Sequence, residues 1–279
     1  MAAGQPLSRL VLAASSVADD LGYVALADLS QVMGEDVADY RVIGGHSVTM
    51  LAARWRLGAE LYRETGDVDL GIAPVVVRDR RLADRLKALG YDQVAGNRFA
   101  RTVPGTPVKV TGGHSARPQA IIDILVPAYT GRARQNVKVG ENLVTTEVPG
   151  LADALGRPPV TITLELRRLN GDTLQATLPF ADEVSALVLK SLATRVRIKD
   201  TDIADIWRCL EIAFAAGVAP SDFTGRARVE AAAIVRALFA RRAGPAMTAL
   251  AAEQRLSAEA ADQRFTRIRA LSTRVVGPG

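Results

Sequence analysis

The chain has 279 residues, 48% hydrophobic and 23% charged, with 35 Lys and Arg against 30 Asp and Glu for a formal net charge of +5. Such a length accommodates a large core and two domains, and the composition is that of a globular protein. The lone cysteine, Cys209, excludes an intramolecular disulfide and a Cys-rich zinc centre, and no apolar run reaches the length of a bilayer span. The N-terminus lacks the layout of a secretory signal, so a cytoplasmic location with no membrane partner is expected. The small Arg-weighted charge excess fits a solvated surface, and it also suits an anionic partner such as nucleic acid.

Residues 7–21 carry apolar side chains at Leu7, Leu10, Val11, Ala14, Val17 and Leu21, a helical spacing, and a second helix is expected over 24–33. Residues 41–43 read as a short strand that Gly44 and Gly45 turn into a helix over 47–56. A connection at 57–65 leads to a strand over 67–72, closed by Pro74. An amphipathic helix over 80–89 stops at Gly90.

The next stretch is β-like: a loosely alternating run at 91–101, a brief strand at 107–111, and a strongly apolar strand at 120–126 broken once by Asp123. His114 falls in a Gly-rich loop. Further strands are expected over 137–148 and 160–169, and Asn170-Gly171 turns the latter into a return strand at 173–178. Pro179 closes the β-rich half. Asp182 then caps a helix running to 194, and helices follow over 201–216, 226–242, 245–256 and 258–273. Trp207, Cys209 and Phe214 suit a buried helix face, and the terminal VVGPG reads as frayed. Strands first and helices afterward predict an α+β fold, with a mixed β-sheet domain and flanking helices over 1–179 and a helical domain over 180–279.

Asp67 and Asp69 open the strand at 67–72 two residues apart, so they share one face while Val68 turns into the core. Neighbouring carboxylates repel unless a cation sits between them, and a hard divalent ion prefers such oxygen ligands. Gly44 and Gly45, before a helix, let the backbone approach a phosphate. Asp123, alone in its apolar strand, needs a metal or an arginine partner. Three such acids on adjacent strands could hold two Mg2+ ions, one at an attacking hydroxyl and one at a triphosphate.

Together these residues resemble the polymerase-β-type nucleotidyltransferase superfamily. The shared features are the Gly44-Gly45 turn with Ser47, the Thr65-x-Asp67-x-Asp69 strand and the later acid. Lys190, Arg195, Lys199, Asp200, Asp202 and Asp205 resemble the paired helices of the AbiEii-type toxins, the group that includes the MenT toxins. The resemblance implies that Gly44, Gly45, Ser47 and Thr65 bind the nucleotide, and that Asp67 and Asp69 act in catalysis and ligate Mg2+ or Mn2+, with Asp123 as a third ligand. It further implies that Lys190 contacts the triphosphate and that Asp205 is the essential late acid, with Asp202 near the nucleotide. His46 departs from the pattern at a turn position that is usually small or apolar.

The implied activity is transfer of a nucleoside monophosphate from an NTP to RNA, at the tRNA 3′ end. That modification blocks translation and makes the protein the toxin of a toxin–antitoxin pair, with an antitoxin partner. Three other readings remain: an adenylyltransferase with a small-molecule hydroxyl acceptor, an inactive NTP-binding protein, and a kinase-like enzyme that transfers the γ-phosphoryl group. Arg195 and Arg197 suit either phosphates or a solvated face.

Overall fold

The structure is a computed structural model and describes residues 5–34, 39–78, 81–106, 110–111, 114–115, 118–130, 133–140, 143–195 and 200–278. The first element is not the expected helix but a strand, β1 (Arg9–Ala13), which pairs parallel with a strand more than 150 residues away. Leu10 is buried between exposed Arg9 and Val11, a period of two that a helical count over 7–21 masks. Ser16 then starts a single helix, α1 (Val17–Met33), by accepting a hydrogen bond from the Asp19 amide.

Strand β2 (Tyr40–Ile43) passes directly into α2 (Gly44–Arg54), and a 3-10 turn at Ala59–Leu61 leads to β3 (Asp67–Ile72). Two short helices follow, α3 (Pro74–Arg78) and α4 (Arg81–Ala88), then β4 (Asp92–Gln93) and β5 (Arg98–Thr102). A small ladder joins β6 (Val110–Thr111) to β7 (His114–Ser115), so His114 is in a strand rather than a loop. Then come β8 (Gln119–Pro127), β9 (Val137–Val139), β10 (Leu143–Thr145) and β11 (Glu147–Val148). A five-residue helix the sequence pattern did not reveal, α5 (Leu151–Leu155), precedes the hairpin of β12 (Val160–Arg167) and β13 (Thr173–Phe180). The last five helices are α6 (Glu183–Ala193), α7 (Asp200–Ala215), α8 (Arg226–Leu238), α9 (Pro245–Glu253) and α10 (Ala258–Val276).

The expected α+β class holds. Among the described residues nine strands form one mixed sheet in the order β1-β12-β13-β2-β3-β8-β5-β4, with β11 added beside β8. Along β3 the side chains alternate. Val68, Leu70 and Ile72 enter a core shared with Leu26 and Leu29 of α1 and with Ile122 and Ile124 of β8. Asp67, Asp69 and Gly71 take the opposite face. There α5 comes so close that a Cβ on Gly71 would lie 2.6 Å from Leu151 Cδ1.

A second core lies among the C-terminal helices, and it does not stop at residue 180. Val48, Leu51 and Ala52 of α2, and Leu61 after it, pack with Leu187, Ile203, Ile206 and Leu210. The α2 helix is therefore the joint between the sheet and the helical half. Two side-chain expectations change. Phe214 is exposed and carries Arg267 over its ring at 5.1 Å, whereas Trp207 and Cys209 are buried. The C-terminal VV is not frayed: Val275 and Val276 close α10 inside the helical core, and the Val276 carbonyl accepts from Arg236. Among the described residues no helix is long and apolar enough to cross a membrane.

Candidate active site

The register of the sheet assembles the acids. Asp69 of β3 stands directly beside Asp123 of β8 in a parallel pair, and directly across from Ile43, the last residue of β2. Because β2 runs straight into α2, Asp69 also lies at the N-terminus of that helix. A Cβ on Gly44 would sit 1.9 Å from Asp69 Oδ2, and Gly44 has φ +72. Only glycine satisfies both the left-handed backbone and the carboxylate pressed against it. The acid-x-acid strand and the Gly-Gly turn, read separately from the sequence, are thus in van der Waals contact.

Asp123 does not join Asp67 and Asp69 in a three-acid cluster. Arg98 of β5 lies opposite it in the ladder and grips it with both ends of the guanidinium, Nε to Oδ1 at 2.9 Å and Nη2 to Oδ2 at 2.6 Å. The same Nη2 is 3.7 Å from Asp67 Oδ2. Among the described residues no group of three or more His, Cys, Asp or Glu is placed to hold a metal ion. Arg98 thus gives Asp123 an arginine partner inside its apolar strand. The hydrogen bonds to Asp123 outweigh burial and hold Arg98 more firmly charged than usual.

The first turn of α2 is tightly enclosed. A Cβ on Gly45 would meet Thr65 Oγ1 at 2.5 Å and Arg63 Cζ at 3.4 Å. Thr65 and Ser47 are both buried, and among the described residues neither hydroxyl has a hydrogen-bond partner. His46 is also buried, packed against Gly22 and facing the Thr65 carbonyl. Burial pushes its imidazole down to about 4 despite the nearby Asp67 and Asp19, so it is neutral at physiological pH. His46 accordingly belongs to the packing of the turn.

Arg63 connects this turn to the helical half. Its Nη1 donates to Asp205 Oδ2 of α7 at 2.6 Å, and Lys190 Nζ of α6 approaches the same oxygen at 2.8 Å. Arg208 Nη1 occupies the other oxygen at 3.1 Å. One carboxylate, fully buried at 0%, thus receives three cations. Burial works against its charge, yet Lys190, Arg63 and Arg208 together hold Asp205 below the usual carboxylate range. Burial likewise pulls Lys190 down, but Asp205 reverses it and the ammonium stays charged. Asp202 is buried as well, with Oδ1 3.9 Å from Lys190 Nζ. Asp205 is itself fully buried and meets Lys190, Arg63 and Arg208, of which Arg63 is the most exposed.

No protein-family model matches the chain, and no curated protein matches it. Among solved structures it is similar to an antigenic nucleotidyltransferase-like protein from Paracoccidioides brasiliensis. The identity is 17% and the TM-score 0.38, over 93% of this chain and 95% of that one. A likeness that distant assigns no activity.

Of the residues named from the sequence, Gly44, Gly45, Thr65, Asp67 and Asp69 are gathered at one helix N-terminus, and Lys190, Asp202 and Asp205 at the adjoining end of the helical half. Ser47 is in the same turn but faces the interior. Arg195 pairs with Glu230, away from these groups, and Arg197 and Lys199 lie outside the described residues. Arg63, Arg98 and Arg208 were not foreseen. The lone acid in the β8 run was the one signal for Arg98, since it called for either an arginine or a metal.

Proposed function

We propose that the chain is a nucleotidyltransferase that moves a nucleoside monophosphate from an NTP to a hydroxyl of RNA, at the tRNA 3′ end. The observation that carries this reading is the contact of Asp69 with Gly44, which places a two-carboxylate face at a helix N-terminus. Next to it stand the unpartnered hydroxyl of Thr65 and the cations Arg63 and Lys190. A donor set of carboxylate oxygens beside a glycine-lined backbone suits Mg2+ carrying a triphosphate.

Asp67 and Asp69 would hold the metal; Asp123, engaged by Arg98, is not required for a two-carboxylate site. Bound there, the metal would supply Lewis-acid stabilisation of the pyrophosphate leaving group and of the attacking oxygen. Gly44 and Gly45 let Asp69, Thr65 and Arg63 close on the start of α2, whose backbone amides would face the phosphates. Arg63 and Lys190 offset the negative charge that builds on the departing pyrophosphate as the acceptor hydroxyl loses its proton to solvent, its oxygen bonds to the α-phosphorus and the α–β bridge breaks. Asp205 keeps Lys190 charged and holds both cations in place.

The RNA acceptor follows from the likeness of the Lys190–Asp205 helix pair to AbiEii-type toxins and from the basic balance of the chain. In that setting, capping tRNA blocks its aminoacylation, the protein is a toxin, and a cognate antitoxin protein restrains it in the cytoplasm. RNA binding distinguishes this from a small-molecule acceptor. Affinity for tRNA should fall steeply with salt and weaken with Lys and Arg substitution, whereas an affinity indifferent to salt overturns the RNA assignment.

A further inference from the structure

Arg98 occupies the place between Asp67 and Asp123 that a cation would take. Its Nη2 is 2.6 Å from Asp123 Oδ2 and 3.7 Å from Asp67 Oδ2, and its Nε completes a fork on Asp123 at 2.9 Å. The two contacts differ in kind. The Asp123 side chain is 11% exposed and held by a bidentate, charge-assisted pair. The Asp67 side chain is 44% exposed and the contact is long, so solvent screens it and it gives way first. The sheet register fixes this arrangement, since Arg98 faces Asp123 across the β5–β8 ladder and Asp123 stands beside Asp69 across the β3–β8 ladder.

We propose that Arg98 is an intramolecular stand-in for a divalent cation: it neutralises Asp67 and Asp123 until a metal takes its place at Asp67, and it keeps Asp123 from serving as a third ligand. This rests on the assignment of Asp67 and Asp69 as the metal site. A positive charge beside the site disfavours a bare cation, whereas a cation that arrives with a triphosphate brings anionic oxygens for the released guanidinium to pair with. Arg98 thereby makes the site select the metal–nucleotide complex over the free metal.

The test is titration of the nucleotide-free full chain with Mn2+, read by the electron paramagnetic resonance of unbound metal. Arg98→Ala and Arg98→Gln should bind Mn2+ about tenfold or more tighter than the unaltered protein, because a unit charge has been removed and Asp123 released. Arg98→Gln retains a hydrogen-bonding side chain beside Asp123, so it stands in if Arg98→Ala fails to fold. The double variant Arg98→Ala/Asp123→Asn should lose most of that gain. Equal or weaker Mn2+ binding in both single variants, with binding by the unaltered protein measurable, overturns the stand-in role and leaves the metal site intact. Absence of Mn2+ binding in every variant, even with a non-hydrolysable NTP present, overturns the metal assignment and the stand-in role together.

Discussion

At the scale of single residues, Gly44 is the tightest constraint in the site. Any Cβ there meets Asp69 Oδ2 at 1.9 Å and Asp69 Cβ at 3.1 Å, so the short aspartate cannot swing clear and must move as a whole. Gly44→Ala is expected to cost about 1–2 kcal/mol from the left-handed backbone. It should lower nucleotidyl transfer by at least about tenfold, the cost of about 1.4 kcal/mol lost from transition-state stabilisation. Thermal unfolding and a rate assay check the two effects separately. His46 gives a pH signature. Its folded value of about 4 lies below the ordinary 6.5, so its contribution is complete above pH 6.5 and is lost as the pH falls toward 4. The loss amounts to roughly 3 kcal/mol. Denaturation across that window should show a slope that His46→Gln flattens; an unchanged slope removes His46 as its source. The acid pair was legible because strand periodicity alone puts Asp67 and Asp69 on one face. Arg63 and Arg98 were not, because nothing in a single sequence says which arginine faces which acid before the strands are paired.

At the scale of elements, the buried Asp205 joins α6, α7 and the connection before β3 through Lys190, Arg208 and Arg63. Removing the shared carboxylate leaves three enclosed cations facing each other. Asp205→Ala should therefore destabilise by roughly 3–5 kcal/mol. Adding Lys190→Met should recover part of that loss, since one stranded charge disappears with it. Chemical denaturation of the two single variants and the double variant tests this; strictly additive losses would contradict the shared-carboxylate arrangement. The helices of this half were readable from capping and periodicity, as with Asp182, whose side chain accepts from the Ser185 amide to start α6. The first strand was not. Leu7, Leu10, Val11 and Ala14 satisfy a helical spacing, and only pairing with β12, distant in sequence, makes β1 a strand. The α5 helix was missed because five residues carry too little periodicity to register.

At the scale of the whole molecule, the change from strands to helices after residue 180 was legible in the sequence pattern, but the packing of α2 against those helices was not. The α2 helix belongs by sequence to the first half and by packing to the second, through Val48, Leu51 and Ala52. Its glycine end meets the acids of β3 while its flank lies among the C-terminal helices. The groups we assign to the phosphates therefore come from both halves, with Arg63 linking the start of α2 to Asp205. Local periodicity carries no information about that convergence, because it arises from tertiary packing.

The central claim is nucleotidyl transfer at Asp67 and Asp69. It is tested most directly by incubating the purified chain with total tRNA, Mg2+ and each NTP in turn, labelled at either the α or the γ phosphate. At least one NTP should label tRNA from the α position, none from the γ position, and a folded Asp67→Ala variant should give no label. Label arriving from the γ position, or persisting in Asp67→Ala, would contradict it.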